Sequence, residues 1–292
     1  MGNLKCKKSA LLFFVPALLV YGTFFIFPFL KTSAYSFTDW DGFTVPSWIG
    51  IDNFKKILTD TVFREAIIRI FIWAVLAILL KVGMALIIAF VMSRSVGKIR
   101  FFRSVVFLPY IISASAMCLM FTIMYDKDIG LINMLLRAVG LGKYVRHWLS
   151  DPNTAFYAVI LIPIYQAVGY FFVILFAAMK DVSKDLYEAG RIDGTNSLTE
   201  FIKITLPSIW PVLVVCIILA INGAFQNFDY IFIMTYGGPG RASEVPATYM
   251  YKAIFVNGEF GYGSAAALLL FFLTVTVTSC MRKVLNSKYR TE

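Results

Sequence analysis

Six apolar runs constrain this chain more than any other feature, because each is close to the ~20 residues an α-helix needs to cross a bilayer. They cover about residues 10–30, 66–92, 104–125, 154–179, 209–235 and 263–281. Hydrocarbon offers no water to backbone N–H and C=O groups, so each run must satisfy its own, and a helix does so. The expected fold is all-α, a polytopic integral membrane protein with six transmembrane helices, in which residues 1–292 form a single transmembrane domain. Composition argues the same way. With 59% hydrophobic and 15% charged residues and a mean hydropathy of +0.76, the chain is too apolar for a soluble domain of its size.

The first run follows Lys5, Lys7 and Lys8 as a secretory signal would. It is too long for one and no small-residue cleavage site follows it, so it reads as an uncleaved anchor. Cys6 precedes the run and so is no lipoprotein cysteine. With the first span starting by about residue 10, no additional N-terminal region is expected.

Charge sets the sidedness. The net charge of +10 is carried by residues at the edges of the apolar runs, which suits lipid headgroups and membrane topology and argues against nucleic acid. One set of ends holds Lys5, Lys7, Lys8, then Arg94, Lys98, Arg100, Arg103, then Lys180, Lys184, Arg191, Lys203, and finally Arg282, Lys283, Lys288, Arg290. That is 15 basic residues, against 10 on the alternate and longer loops. Both termini and the loop after the fourth run are therefore expected in the cytoplasm. The four cysteines are scattered and His147 is the single histidine, so neither a disulfide framework nor a metal site is expected.

That cytoplasmic loop, 180–207, is unusual for its polarity. Leu186, Tyr187, Glu188, Ala189, Gly190, Arg191 and Ile192 mix apolar and charged groups at helical spacing, and Gly194 after Asp193 supplies a left-handed terminator. Thr199 to Leu206 restarts a helix with Phe201, Ile204 and Leu206 along one side. Pro207 then stands where the next span opens. The expected element is a short amphipathic helix held stiffly between two spans, able both to bind a partner and to transmit force.

The run EAGRIDGTNSLTEFIKITLP resembles the EAA-loop signature of ATP-binding-cassette importer permeases. The matching residues are Glu188, Ala189, Asp193, Gly194, Phe201, Ile204, Leu206 and Pro207; Gly190 and Thr195 depart from it. Gly190 should weaken the helix by up to about 1 kcal/mol if it is interior. The segments SFTDW (36–40), IGIDNF (49–54), FFRSVVFLPYIIS (101–113), GLIN (130–133) and FDYIFIMTYGGPG (228–240) are similar to the carbohydrate branch, and most of all to the first permease of maltose-, multiple-sugar- and glycerol-phosphate-type importers.

The resemblance implies a type I importer permease in a prokaryotic plasma membrane. It also implies that the loop docks on a cytoplasmic ATPase dimer, which binds ATP and Mg, while this chain carries no cofactor and no phosphate loop of its own. A second, similar permease completes the path, and a binding protein delivers a sugar or oligosaccharide from outside. Glu188, Ala189, Gly190, Asp193, Gly194, Phe201, Leu206 and Pro207 are the expected coupling residues.

Polar residues inside spans mark the expected path. Asn222, Gln226 and Asp229 fall at i, i+4 and i+7, which would put them on one helix face, with Tyr230 beside them to stack on a pyranose ring. Gln166 and Tyr170 in the fourth run lie at a matching depth. The competing role for these amides is to hold helices together, and for Asn227 that role is the expected one. Lys81, mid-span, is expected in a structural ion pair or snorkelling to an interface rather than on the substrate. Arg69 is expected at the outer interface.

Three other classes fit less well. A secondary carrier would couple through intramembrane carboxylates, yet Asp229 is the sole acid inside a run. A membrane enzyme lacks H-E-x-x-H and G-x-S-x-G, and a channel lacks a selectivity filter. An importer permease for a non-sugar polar solute remains the nearest alternative.

Overall fold

The computed structural model describes residues 14–94 and 99–287. Lys5, Cys6, Lys7, Lys8, Lys98, Lys288, Arg290, the side chain of Arg100 and the start of the first run lie outside the described residues. Along the chain come α1 (Phe14–Tyr35), α2 (Asp52–Thr59), α3 (Thr61–Arg94), α4 (Ile99–Ile111), α5 (Ala114–Met124), α6 (Leu131–Ala138), α7 (Ala155–Lys180) and α8 (Lys184–Ile192). There follow α9 (197–208), α10 (Trp210–Phe225), α11 (Asp229–Met234), α12 (Pro246–Phe255) and α13 (Phe260–Ser287). Extended pairing among the described residues is confined to an isolated bridge between Thr38 and Trp48.

Five stretches are long and apolar enough to span a membrane, and a sixth is a bent pair. That pair occupies the third apolar run, 104–125, as two helices. Phe101–Ile111 and Ala114–Met124 meet at 91°. Pro109 near the end of α4 lacks an N–H and its ring crowds the preceding turn. Ser113 then turns extended (φ −64°, ψ 150°), and its Oγ accepts the Ala116 N–H at 3.3 Å, capping α5. The fifth span is interrupted too. α10 ends at Phe225, residues 226–228 are non-helical, and α11 resumes at Asp229. Asn222, Gln226 and Asp229 therefore do not share one continuous helix face, because the helix on which that spacing depends has stopped.

The sequence reading treats 1–292 as one domain; the packing gathers the chain into two compact units, Met1–Thr61 with Tyr249–Phe271, and Val62–Thr248 with Phe272–Glu292. In the first unit, no residue in the apolar window of α1 is buried within the chain. After it, Asn53 of α2 is buried and its amide donates to the carbonyls of Ser36 (3.0 Å) and Thr38 (2.8 Å), which ties the loop down. Tyr249 donates to Asp60 at 2.7 Å and shares a 2.6 Å hydrogen bond with Tyr262.

The core of the second unit is α7, which packs on the second half of α3, on α4 and on α10. Most of its residues are buried, Val159, Ile160, Ile162, Phe172 and Leu175 completely. Lipid is as apolar as these side chains, so α7 anchors this unit by close packing against its neighbours rather than by withdrawal from water. Gly169 makes the crossing with α4 possible: a Cβ there would fall 2.2 Å from the Val106 carbonyl oxygen.

Lys81 lies in a π-helical stretch of α3, Ala77–Val82, that packs on α7 and α10. It is buried (6% exposed), which corrects the expectation of snorkelling. No carboxylate pairs with it among the described residues. Its ammonium sits 5.8 Å from the centroid of the Phe171 ring, a cation–π contact in place of the expected ion pair. Arg69 pairs with Glu65 at 2.7 Å.

Candidate functional site

The charged end of the second unit is built by α8, α9 and the ends of α3 and α7. Ser183 caps α8, its Oγ accepting the Asp185 N–H at 3.2 Å. Gly194 ends it with φ +74°, and the Thr195 N–H reaches back to the Gly190 carbonyl at 3.0 Å. A side chain at Gly194 would strain this left-handed turn by about 1–2 kcal/mol. Asn196 caps α9 by accepting the Thr199 N–H at 2.8 Å. The loop is thus two capped helices, the second starting at Ser197, and α9 contains its own π-helical turn, Phe201–Thr205. Pro207 lies in the last turn of α9, and Pro211 in the first turn of α10 opens the span instead.

Gly190 is buried against α9. A Cβ there would meet Ile204 Cδ1 at 2.7 Å, so the missing methyl makes room for the isoleucine. Leu186, Glu188, Ala189, Asp193 and Gly194 are exposed, and Ile192 is 87% exposed. An apolar side chain so fully exposed on a short, well-capped helix is a feature of surfaces that meet partners. Leu206 and Pro207 are half-buried, and Phe201 packs on Phe90 of α3 with ring centroids 4.5 Å apart.

Between α8 and the helix ends lies a cleft of about 530 Å³, lined by Arg94, Lys180, Tyr187, Glu188, Arg191 and Glu200, among others. Glu200 is buried at its margin. It pairs with Arg94 of α3 at 2.6 Å and faces Arg191 of α8 at 4.0 Å. Lys180 donates to the Ser93 carbonyl at 2.8 Å, joining α7 to α3. Tyr187 and Thr205 share a 3.1 Å hydrogen bond between α8 and α9. Of the expected coupling residues, Glu188 reaches this cleft, whereas Asp193 and Gly194 stand on the open surface. Sequence reasoning missed Arg94, Glu200, Tyr187 and Thr205 as a group. Arg94 counted only toward topology, and a pairing 106 positions apart leaves no local signal.

The expected path residues divide between the two span breaks. Gln166 is buried. Its amide donates to the Ile112 carbonyl at 2.6 Å, and its oxygen accepts the Tyr230 hydroxyl. Ile112 is the residue at the bend, so Gln166 supplies the partner that the broken helix took away. Tyr170 stacks on Tyr110 at 4.9 Å. Asn222 accepts a hydrogen bond from Thr278 of α13 at 2.8 Å. Gln226 and Asp229 are exposed within this chain. Asn227 is half-buried, and its amide oxygen is buried without a partner among the described residues.

Comparison with known proteins fits this architecture. Residues 82–291 match the model of a family described as the binding-protein-dependent transport system inner membrane component. The chain is 35% identical to the probable ABC transporter permease protein YurN of Bacillus subtilis over 93% of its own length and 94% of the relative's. It is 29% identical to AmyD of Thermoanaerobacterium thermosulfurigenes, a probable permease protein of a starch degradation products transport system, over 96% and 94%. It superposes with a TM-score of 0.82 and 20% identity, over 94% and 93% of the two chains, on a bacterial alginate ABC transporter crystallised in complex with an alginate pentasaccharide-bound periplasmic protein. Six apolar stretches, one of them bent, a capped two-helix loop on the charged end and this match over most of the chain lead to one statement: the chain is a multi-pass membrane protein belonging to the family of binding-protein-dependent transport system inner membrane components.

Proposed function

We propose that this chain is one of two membrane-spanning permease subunits of an ABC importer that moves a sugar or oligosaccharide into the cell. Helix α8 and both termini face the cytoplasm of a prokaryotic plasma membrane. There α8 docks on a separate ATPase dimer, which binds ATP and Mg, and a sugar-loaded binding protein approaches from the opposite side. The observation that carries the reading is α8 itself: a nine-residue helix capped at its start and closed by Gly194, standing over a cleft with Leu186, Glu188, Ala189 and Ile192 open to a partner. The sugar class is supported by the carbohydrate relatives, and the importer assembly by the solved complex with a periplasmic protein.

The path follows the open break of the fifth span, where Gln226, Asn227 and Asp229 offer amide and carboxylate groups to sugar hydroxyls. Asn222 and Tyr170 border it, while Gln166 and Tyr230 shape it from behind through their mutual hydrogen bond.

The test is made on the assembled importer. Gly194→Val and Glu188→Ala should abolish sugar uptake and weaken co-purification of the ATPase, with membrane insertion unchanged. Normal sugar-stimulated ATP hydrolysis in both variants would sink the docking role of α8.

A further inference from the structure

Helix α8 touches α9 directly and reaches α3 through it. Its Tyr187 bonds Thr205 of α9, and the Thr205 hydroxyl in turn donates to the Glu200 carbonyl at 3.4 Å, across the π-helical turn. With Thr205 acting as donor there, Tyr187 is left to donate to Thr205. Arg191, also on α8, approaches the Glu200 carboxylate at 4.0 Å. The other oxygen of that carboxylate is held at 2.6 Å by Arg94, the last residue of α3. Arg94 is itself set by the ring of Phe90, 5.3 Å from its guanidinium, and it donates to the Ser197 carbonyl at 3.4 Å. Every strand of this network passes through or beside Glu200, whose side chain is 3% exposed.

We propose that Glu200 is a positioning residue for transport, the node through which movement of the docked α8 is passed to α3 by way of Arg94. The inference rests on the reading that α8 docks the ATPase. A charge-assisted hydrogen bond from Arg94 to the buried Glu200 carboxylate is short and directional, so it holds α3 and α9 in one relation where an apolar contact would slide. α3 then extends to the Ala77–Val82 turn, which packs on α7 and α10, the helices that border both span breaks. A pull on α8 therefore has a continuous route of polar bonds to α3, and from there a packed route to the middle of the membrane.

The test uses the importer assembled from its permeases, ATPase and binding protein, reconstituted in vesicles, with sugar moved per ATP hydrolysed as the readout. Glu200→Gln and Arg94→Met should each lower that ratio at least tenfold while the ATPase still co-purifies, because the exposed face of α8 is untouched. The double variant should be no worse than either single one, since both break the same bond. A ratio unchanged in the single variants, or two losses that multiply in the double variant, would overturn the proposal. A merely structural pair would instead lower co-purification and ratio together. Should Glu200→Gln fail to assemble, Arg94→Lys against Arg94→Met decides: the ratio kept by lysine and lost with methionine supports the node, and equal ratios overturn it. If the wild-type chain itself does not hold an ATPase, the docking reading is what has failed.

Discussion

The two broken spans solve the same problem in opposite ways. At the bend after Ile111 the break is met by side chains: Ser113 caps the outgoing helix, Gln166 takes the Ile112 carbonyl, and the Gln166 oxygen accepts from Tyr230. At 226–228 Gln226 and Asp229 are exposed, and the Asn227 oxygen is buried without a partner among the described residues. The first break is closed by its own side chains and the second is not. The lesson is that glutamine in a span has no fixed meaning. Gln166 and Gln226 are chemically identical, and the state of the nearest broken helix decides which of them is engaged and which is left exposed.

Three substitutions would break or sharpen this contrast. The largest effect belongs to Gln166→Leu, which strands both the Ile112 carbonyl and the Tyr230 hydroxyl. It should cost about 2–3 kcal/mol, read as a drop in the melting temperature of the purified protein in nanodiscs. A variant that melts with the wild type would show that the first break is not closed by this amide. Tyr230→Phe removes a single bond and should cost about 0.6–1 kcal/mol in the same assay, leaving the bend intact. A loss as large as that of Gln166→Leu would mean the tyrosine, not the glutamine, holds the bend. The smallest effect on melting is expected for Asn227→Leu, within about 0.5 kcal/mol of the wild type, because no bond is lost. Its uptake kinetics should change nonetheless, with a raised apparent KM for the sugar. Melting that falls as far as for Gln166→Leu would close the second break and move the path elsewhere.

Much of this was legible in the residues. The apolar runs gave the span order, and Gly194, flanked by charge on one side and turn residues on the other, gave the end of α8. What escaped was everything that depends on partners distant in sequence. Pro109 stood in plain view inside the third run, but proline in a span is often tolerated, and whether the helix breaks depends on Gln166, 54 residues beyond the freed carbonyl. The end of α10 had no proline or helix-ending glycine to announce it, so the i, i+4, i+7 spacing read as a face. Lys81 called for an acid or a route to the interface, because an intramembrane ammonium usually has one or the other; an aromatic ring beside it carries no such signature in the sequence. Gly190 read as a weakness in α8 until Ile204 was seen to occupy its space.

The wide turn at Ala77–Val82 has a consequence for how this family member tolerates change in length. A π-helical turn holds one residue more than the α-helical turn it replaces, so deleting a residue there would restore regular winding at little local cost. Everything downstream would keep nearly the same direction and depth, because the shortened turn still spans about one turn of helix. Arg94, twelve residues after Val82, would stay on the side of α3 that meets Glu200, whereas a residue deleted from the regular winding of Gly83–Arg94 would turn it by about 100° and shift it by about 1.5 Å. The wide turn is thus slack in α3, a place where one residue can be lost without uncoupling the charged end from the rest of the helix.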